Sequence, residues 1–380
     1  MDFALTDEQK AFRASVLEWA AATVAPGAGE RDKEGRWDPE IWKSLGAQGL
    51  AGLPIPAEYG GAGASIMDCV IANEAIAEGG HDGGFNLSLG AHWVIGAVPI
   101  WLHGTEAQKK RWLPGLTDGS MIGAWASTEP EAGSDAAGLL TTAVRDGDDW
   151  VLNGNKIFIT NGPIADVCTV LAKTSEKGAT AFLVDTGNPG FQVGRELDKM
   201  GCRSSPTAEI ALVDCRVAGD SVLGNEGDAL WSVAFECFDW ERTVMVASAV
   251  GGMQSTLNAS IAYAKDRKQF GRPIANFQAI AHKLAEMKIR LETVRTAVYR
   301  AAYLKQTGAE HQMEASIAKY LVGELSVTNA LDAIQIHGGY GYLRDFGVER
   351  ALRDAKLGSI GGGTSEIQKL IISRLLLGES

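Results

Sequence analysis

Two short stretches of this chain carry residue types suited to chemistry. The first is FDWERTVMV, Phe238 to Val246. At 100° per residue, Ala234, Phe238, Glu241 and Met245 share one narrow helix face, apolar except for the single acid. The positions three and four residues from Glu241 are Phe238, Val244, Cys237 and Met245, so no cation on the same helix can neutralise it. An unpaired carboxylate in apolar surroundings is a candidate general base; the plainer alternative is a buried Glu paired with an Arg distant in sequence. The second stretch is SIGGGTSEIQ, Ser359 to Gln368. Three adjacent glycines cost backbone entropy and give no side-chain contacts, so something there needs close approach or free backbone N–H groups.

Other chemistries find little support. No GxGxxG follows a strand, no GxxxxGK[ST] and no HExxH occur, and the six histidines are dispersed. The five cysteines are odd in number with no CxxC spacing, which suits small buried residues in a reducing cytoplasm. A net charge of -12 and a pI near 5.1 disfavour a nucleic-acid partner. No apolar stretch is expected to reach the length of a membrane span, and the acids in MDFALTDEQKAF oppose a secretory signal. Thr6 and Gln9 are spaced as a capping box.

The elements that must hold these stretches fall into three lobes. Residues 1–120 show helical periodicity, with helices expected around 6–24, 39–48, 65–80 and 85–102. Residues 121–225 change to short alternating runs such as WVLNGNKIFITNG and TAFLVD, with Asn153-Gly154 as a hairpin signal. Residues 226–380 are helical again, at about 228–266, 276–307, 310–338 and 364–377, long enough for an antiparallel bundle.

Five segments in order, AWASTEPEAGSD, GNKIFITNG, KDRKQFGRPIANFQ, IQIHGGYGY and GGTSEIQ, together resemble the acyl-CoA dehydrogenase flavoprotein family over essentially the whole chain. The resemblance implies an α+β fold with an N-terminal helical domain, a barrel-like middle β domain and a C-terminal four-helix bundle. It implies FAD as cofactor, a homotetramer in the cytoplasm, and electron-transfer flavoprotein or oxygen as acceptor. On it, Trp125, Ser127 and Thr128 border one side of the flavin, and Phe158, Ile159 and Thr160 the other. Arg267, Gln269 and Phe270 match positions holding the adenosine diphosphate part, with Gln335 and Gly339 expected from a second subunit; Thr364 and Glu366 match contacts to the diphosphate.

Many members of the family carry their catalytic Glu in the loop where this chain has Gly362. The isovaleryl and long-chain types carry it on a helix, at the position of Glu241. The resemblance then leaves Gly362 a backbone task, its N–H polarising the thioester carbonyl. Phe238, Asp239 and Arg242 match the pantetheine-lining positions, and Ser134 the thioester end. His92 and Trp93 are expected to line the acyl pocket, which Trp93 would shorten; for so bulky an aromatic, helix packing is an equal alternative. The segment from Gly79 to His103 contains no Lys or Arg, which argues against a dicarboxylic substrate. Two segments, GNKIFITNGPIADV and SLGAHWVIGAVPIW, are similar to the branch that oxidises aminoacyl groups on carrier proteins, leaving CoA and carrier-protein thioesters nearly even. A flavin-dependent oxygenase or a non-catalytic FAD scaffold is the alternative from another class, and neither needs an unpaired acid at Glu241.

Overall fold

The computed structural model describes residues 4–175 and 178–378. Helix α1 (Asp7–Thr23) starts on the expected capping box, with Thr6 and Gln9 each accepting the other's backbone N–H. It is followed by α2 (Ala28–Glu34), α3 (Pro39–Ala47) and α4 (Ile66–Gly80). One long helical run then comprises α5 (Gly83–Gly90), a π turn (Ala91–Ala97) and α6 (Val98–His103), and α7 (Glu106–Asp118) closes the lobe. Helices α2 and α7 were not expected. The first is a short helix of seven residues flanked by left-handed Gly27 and Gly35, and the second carries Pro114 in its interior, so both read as breaks in a sequence.

The run Gly83–His103 corrects one expectation: its 21 residues are long and apolar enough to cross a bilayer. Of its most apolar window 78% is buried inside the protein, so the apolar surface is spent on the core.

The middle lobe is an eight-stranded sheet. Strands β1 (Gly123–Ala126), β2 (Thr142–Asp146), β3 (Asp149–Thr160), β4 (Val167–Lys173), β5 (Ala179–Asp185), β6 (Phe191–Glu196), β7 (Thr207–Val217) and β8 (Val222–Leu223) run in the order β6-β7-β3-β2-β4-β5-β8, with β1 parallel to β4. The joint between β2 and β4 is a single pair, Thr142 with Lys173, so two sub-sheets fold over a shared core where Trp150 meets Phe182 edge-on at 5.5 Å. The hairpin expected at Asn153-Gly154 is absent. The turn is made by Gly147, at φ 63°, between Asp146 and Asp149, and β3 runs straight through Gly154 with a bulge. Gly154 is needed for contact: a Cβ there would lie 2.4 Å from the Thr141 hydroxyl.

The third lobe contains α8 (Val233–Trp240), a π turn (Glu241–Met245), α9 (Ala247–Asp266), α10 (Gln278–Gln306), α11 (Gln312–His337), α12 (Val348–Lys356) and α13 (Ser365–Leu377). The single helix expected over 228–266 is thus interrupted at Glu241, where the Val246 N–H reaches back five residues to the Glu241 carbonyl at 3.3 Å. Helix α4 lies so close to α9 that a Cβ on Gly251 would sit 2.1 Å from the Glu74 carbonyl.

All three lobes meet in one polar junction. Arg31, buried, donates from Nε to Asp82 at 3.0 Å, and Asp82 also accepts from the Ser204 hydroxyl at 2.5 Å. Arg353 grips both oxygens of Asp32 at 3.0 and 2.6 Å, and the Cys202 N–H donates to Asp354 at 2.6 Å. Desolvation pushes the Asp354 carboxyl up to about 7, with Asp32 and Asp82 adding to the rise while the Cys202 N–H and Arg350 oppose it. A carboxyl raised in the folded state favours folding fully below its unfolded value, and that contribution is lost as pH rises through the folded value. Denaturant midpoints between pH 4 and 8 are therefore expected to fall with pH more steeply in the wild type than in Asp354→Asn; parallel curves would refute the shift.

Candidate active site

The glycine loop and the acidic helix meet. Gly362 has φ +66°, and a Cβ on it would lie 2.9 Å from Glu241 Oε1 and 3.0 Å from Cδ. The carboxylate occupies the space a side chain at 362 would need, which is what glycine at that position makes possible. Among the described residues it accepts no hydrogen bond and is partly exposed. Desolvation raises its pKa, and Arg242 and Lys319 pull back only in part.

The loop itself is fixed from several sides. Gln368 Nε2 donates to the carbonyls of Gly362 and Gly363 at 3.3 and 3.0 Å. Arg242 Nε reaches the Gly362 carbonyl at 3.5 Å, and its guanidinium lies 5.5 Å from the Phe238 ring. Thr364 caps α13 by accepting the Ile367 N–H, while Glu366 is exposed on the first turn. Asp239, expected beside the substrate, is held within the chain: it accepts from Lys305, and His311 Nε2 lies 2.7 Å from it. Ser134 is exposed in the loop after β1.

The two π turns pack against each other, and a Cβ on Gly90 would lie 2.7 Å from the Met245 side chain. His92 and Trp93 sit within the first of these turns, fully buried. His92 donates from Nε2 to the Leu116 carbonyl at 2.9 Å and accepts the Gly123 N–H on Nδ1 at 3.1 Å; burial lowers its pKa to about 4. Trp93 donates to the Leu50 carbonyl at 2.9 Å. Both therefore brace the helix that backs the site. In the run Gly83–Val98, Leu87 and Ile95 are among the few positions not fully buried. They are eight residues apart, which one α turn and one π turn bring to the same face. Sequence periodicity could not place them, because the π turn shifts the phase.

The flavin-wall candidates lie on β1, the loop after it and β3. Trp125 is buried with its indole N–H unpartnered, and Ser127 and Thr128 are half-buried. Phe158 is 63% exposed at φ +61°, in a break of register between Lys156 and Ile159; Ile159 is buried and Thr160 half-buried. An exposed aromatic held in left-handed backbone on β3 and an orphaned indole donor on the adjoining β1 fit a flat aromatic ligand with polar edges. The wall is clamped by a buried ion pair missing from the sequence reading: Lys156 Nζ lies 2.7 Å from Glu129 and 3.3 Å from the Ser127 carbonyl, and Glu129 accepts the Thr141 N–H at 3.0 Å. TEPEAG and GNKIF each hold one partner, but nothing in the spacing pairs them.

A cavity of about 760 Å³ is lined by Arg267, Gln269, Phe270, His337, Gly338, Gly339 and Tyr340, all of one chain. Within one chain Arg267 already lies 5.4 Å from the Tyr340 ring, because the hairpin after α9 folds back on the end of α11. Gln335, one turn earlier, is exposed. None of the flavin-wall residues lines this cavity.

Models of the acyl-CoA dehydrogenase N-terminal, middle and C-terminal domains match residues 6–120, 124–215 and 231–377. The chain belongs to the acyl-CoA dehydrogenase family. It is an oxidoreductase of the acyl-CoA dehydrogenase type. A probable acyl-CoA dehydrogenase of Bacillus subtilis, YngJ, is 42% identical, over 99% of this chain and 100% of its own. Among solved structures, butyryl-CoA dehydrogenase from Megasphaera elsdenii superposes with a TM-score of 0.95 at 39% identity, over 99% of this chain and 100% of the other. The prolyl acyl carrier protein oxidase AnaB does so with 0.95 at 38%, over 98% and 100%. The FAD complex of PigA does so with 0.96 at 35%, over 100% of both.

In this member of the family the contact at Gly362 is directly testable. Gly362→Ala adds one methyl in a left-handed backbone against the carboxylate, so Glu241 must move. Flavin reduction by substrate is expected to slow by about 10²-fold with FAD content kept, the scale of an ångström-level misplacement. Stopped-flow absorbance measures it, and an unchanged rate would show that the contact is not part of the working site.

Proposed function

We propose that this chain oxidises the α,β bond of an acyl thioester, with Glu241 removing the proton from Cα. The observation that carries this reading is the Glu241 carboxylate at the Gly362 backbone, uncoupled from any hydrogen-bond donor among the described residues. A general base must be free to take a proton, and its raised pKa increases its basicity while requiring a pH high enough to ionise it.

FAD is the cofactor, and when bound it accepts the hydride equivalent that leaves Cβ. Trp125, Ser127, Thr128, Phe158, Ile159 and Thr160 are proposed to hold its ring. Arg267, Gln269, Phe270, Gln335 and Gly339, with Thr364 and Glu366, are proposed for the adenosine diphosphate part. The ring wall and the 760 Å³ cavity share no residue, which supports an assembly in which one copy's cavity completes another's ring site, as a homotetramer. The N–H of Gly362 is proposed to donate to the thioester carbonyl, with Phe238 and Arg242 along the pantetheine arm and Ser134 at the thioester end.

For the acyl group we propose a short, branched or cyclic chain. The helix run from Gly83 to His103 brings no Lys or Arg to the site, which supports an uncharged acyl end. The likeness to AnaB supports a carrier-protein thioester as the second reading beside acyl-CoA. Electron-transfer flavoprotein or oxygen would then take the electrons.

The decisive experiment is anaerobic flavin bleaching against a panel of acyl-CoA and acyl-carrier thioesters. Short branched or prolyl thioesters are expected to reduce the flavin faster than palmitoyl or glutaryl ones. Glu241→Gln is expected to keep FAD and thioester affinity while slowing reduction by at least about 10²-fold. Wild-type rate in Glu241→Gln would move the oxygenase or scaffold reading ahead.

A further inference from the structure

Helix α11 carries a lysine that the reaction as described leaves without a role. Lys319 is only 4% exposed, and among the described residues its one hydrogen bond is from Nζ to the Gly358 carbonyl at 2.6 Å. No carboxylate among the described residues lies within ion-pair distance. An ammonium removed from water with one neutral acceptor is costly, and an apolar side chain of the same length would fill the space at less expense. What surrounds it gives the cost a purpose.

One turn along α11, Gly323 packs on the same segment: a Cβ there would lie 2.8 Å from the Gly358 carbonyl and 3.0 Å from Ser359 Cα. Ser359 is held in turn by Lys356 at 2.9 Å, and Ser365 donates to Glu324 of α11 at 2.6 Å. Helix α11 therefore grips both ends of the segment whose middle, Gly362, abuts Glu241. We propose that Lys319 is a positioning residue, seating residues 358–363 against the Glu241 carboxylate through the Gly358 carbonyl and adding, behind Arg242, a second buried positive charge beyond ion-pair distance. This rests on Glu241 being the base.

None of the other ionisable neighbours anchors the loop at the Gly358 carbonyl. Arg242, directed to the Gly362 carbonyl and Phe238, also lowers Glu241 and does so more than Lys319, so the two cations share the carboxylate. Cys237 on α8 is a buried thiol, pushed well above its usual value. On α4 and α10, Glu74 is bound by Arg295 at 3.1 Å and Tyr299 at 3.0 Å. His92 on the facing π turn is held by backbone on both nitrogens, and α5 and the first turns of α9 bring no titratable side chain. Burial lowers Lys319 to about 8 although Glu241 pulls it up, and Lys319 in turn lowers Glu241. The ammonium therefore favours ionised Glu241 at neutral pH.

The test is the pH dependence of flavin reduction in the FAD-loaded enzyme. Lys319→Gln, which keeps a donor for the Gly358 carbonyl but loses the charge, is expected to move the midpoint up by about one pH unit and keep the high-pH rate. Lys319→Met should show the same shift and a lower high-pH rate, because the anchor is lost as well. Lys319→Arg should keep the wild-type midpoint. An unmoved midpoint in Lys319→Gln and Lys319→Met, while Glu241→Gln is slow, overturns the role of Lys319 alone. A Glu241→Gln of wild-type rate overturns the base assignment beneath it. Loss of FAD in all three Lys319 variants assigns the residue to packing and also overturns the proposal.

Discussion

The contact between the Gly362 backbone and the Glu241 carboxylate sets the terms for the rest of the C-terminal lobe. Two chain segments about 120 residues apart must agree to within a few tenths of an ångström, since a single added carbon would lie 2.9 Å from the acid. Neither segment can achieve this alone. Three glycines in a row have no side chains to lock their conformation, so the loop is held from outside, by Gln368, Arg242 and Lys319. The acid lies on a π turn, which widens the helix locally and frees it from the regular ladder.

The second π turn, at residues 91–97, meets this one across the Gly90–Met245 contact. It also presses Gly96 onto Gly123 at the start of β1, where a Cβ would lie 3.0 Å from the opposing backbone. Close backbone approach thus links the acid, the central helix and the strand that carries Trp125. Small residues at each junction let rigid elements transmit position without intervening side chains. The buried Lys156–Glu129 pair plays the corresponding part between β3 and the loop after β1, where its desolvation cost is offset by two backbone N–H donors.

The sequence revealed most where chemistry is local. The Thr6–Gln9 cap, the acid without a helical partner and the glycine run all follow from residues within four positions of one another. It was less informative where geometry is set at a distance. A π turn has no composition of its own, so the phase that brings Leu87 and Ile95 to one face is invisible in the sequence, and of the two readings open for Trp93 its bond to the Leu50 carbonyl favours packing, as the bond to Leu116 does for His92. Gly154 resembled a turn because Asn-Gly usually makes one; here the glycine answers to Thr141 on a neighbouring segment. The folding back of the hairpin after α9 onto α11, which unites Arg267 with Gly339 in one chain, is likewise a tertiary event.

The junction of the three lobes also gives the chain a history. Asp32 finds its partner Arg353 only 321 residues later, and Asp354 takes up the Cys202 N–H from the same short helix. A ribosome adding about 5–20 residues per second would leave the acids of the first lobe waiting on the order of tens of seconds for that helix. During synthesis the N-terminal helices would hold Asp32 without its cation, and α4 would lack α9 to cover it. The contacts that tie the first two lobes to α12 can therefore form only once that helix has been made.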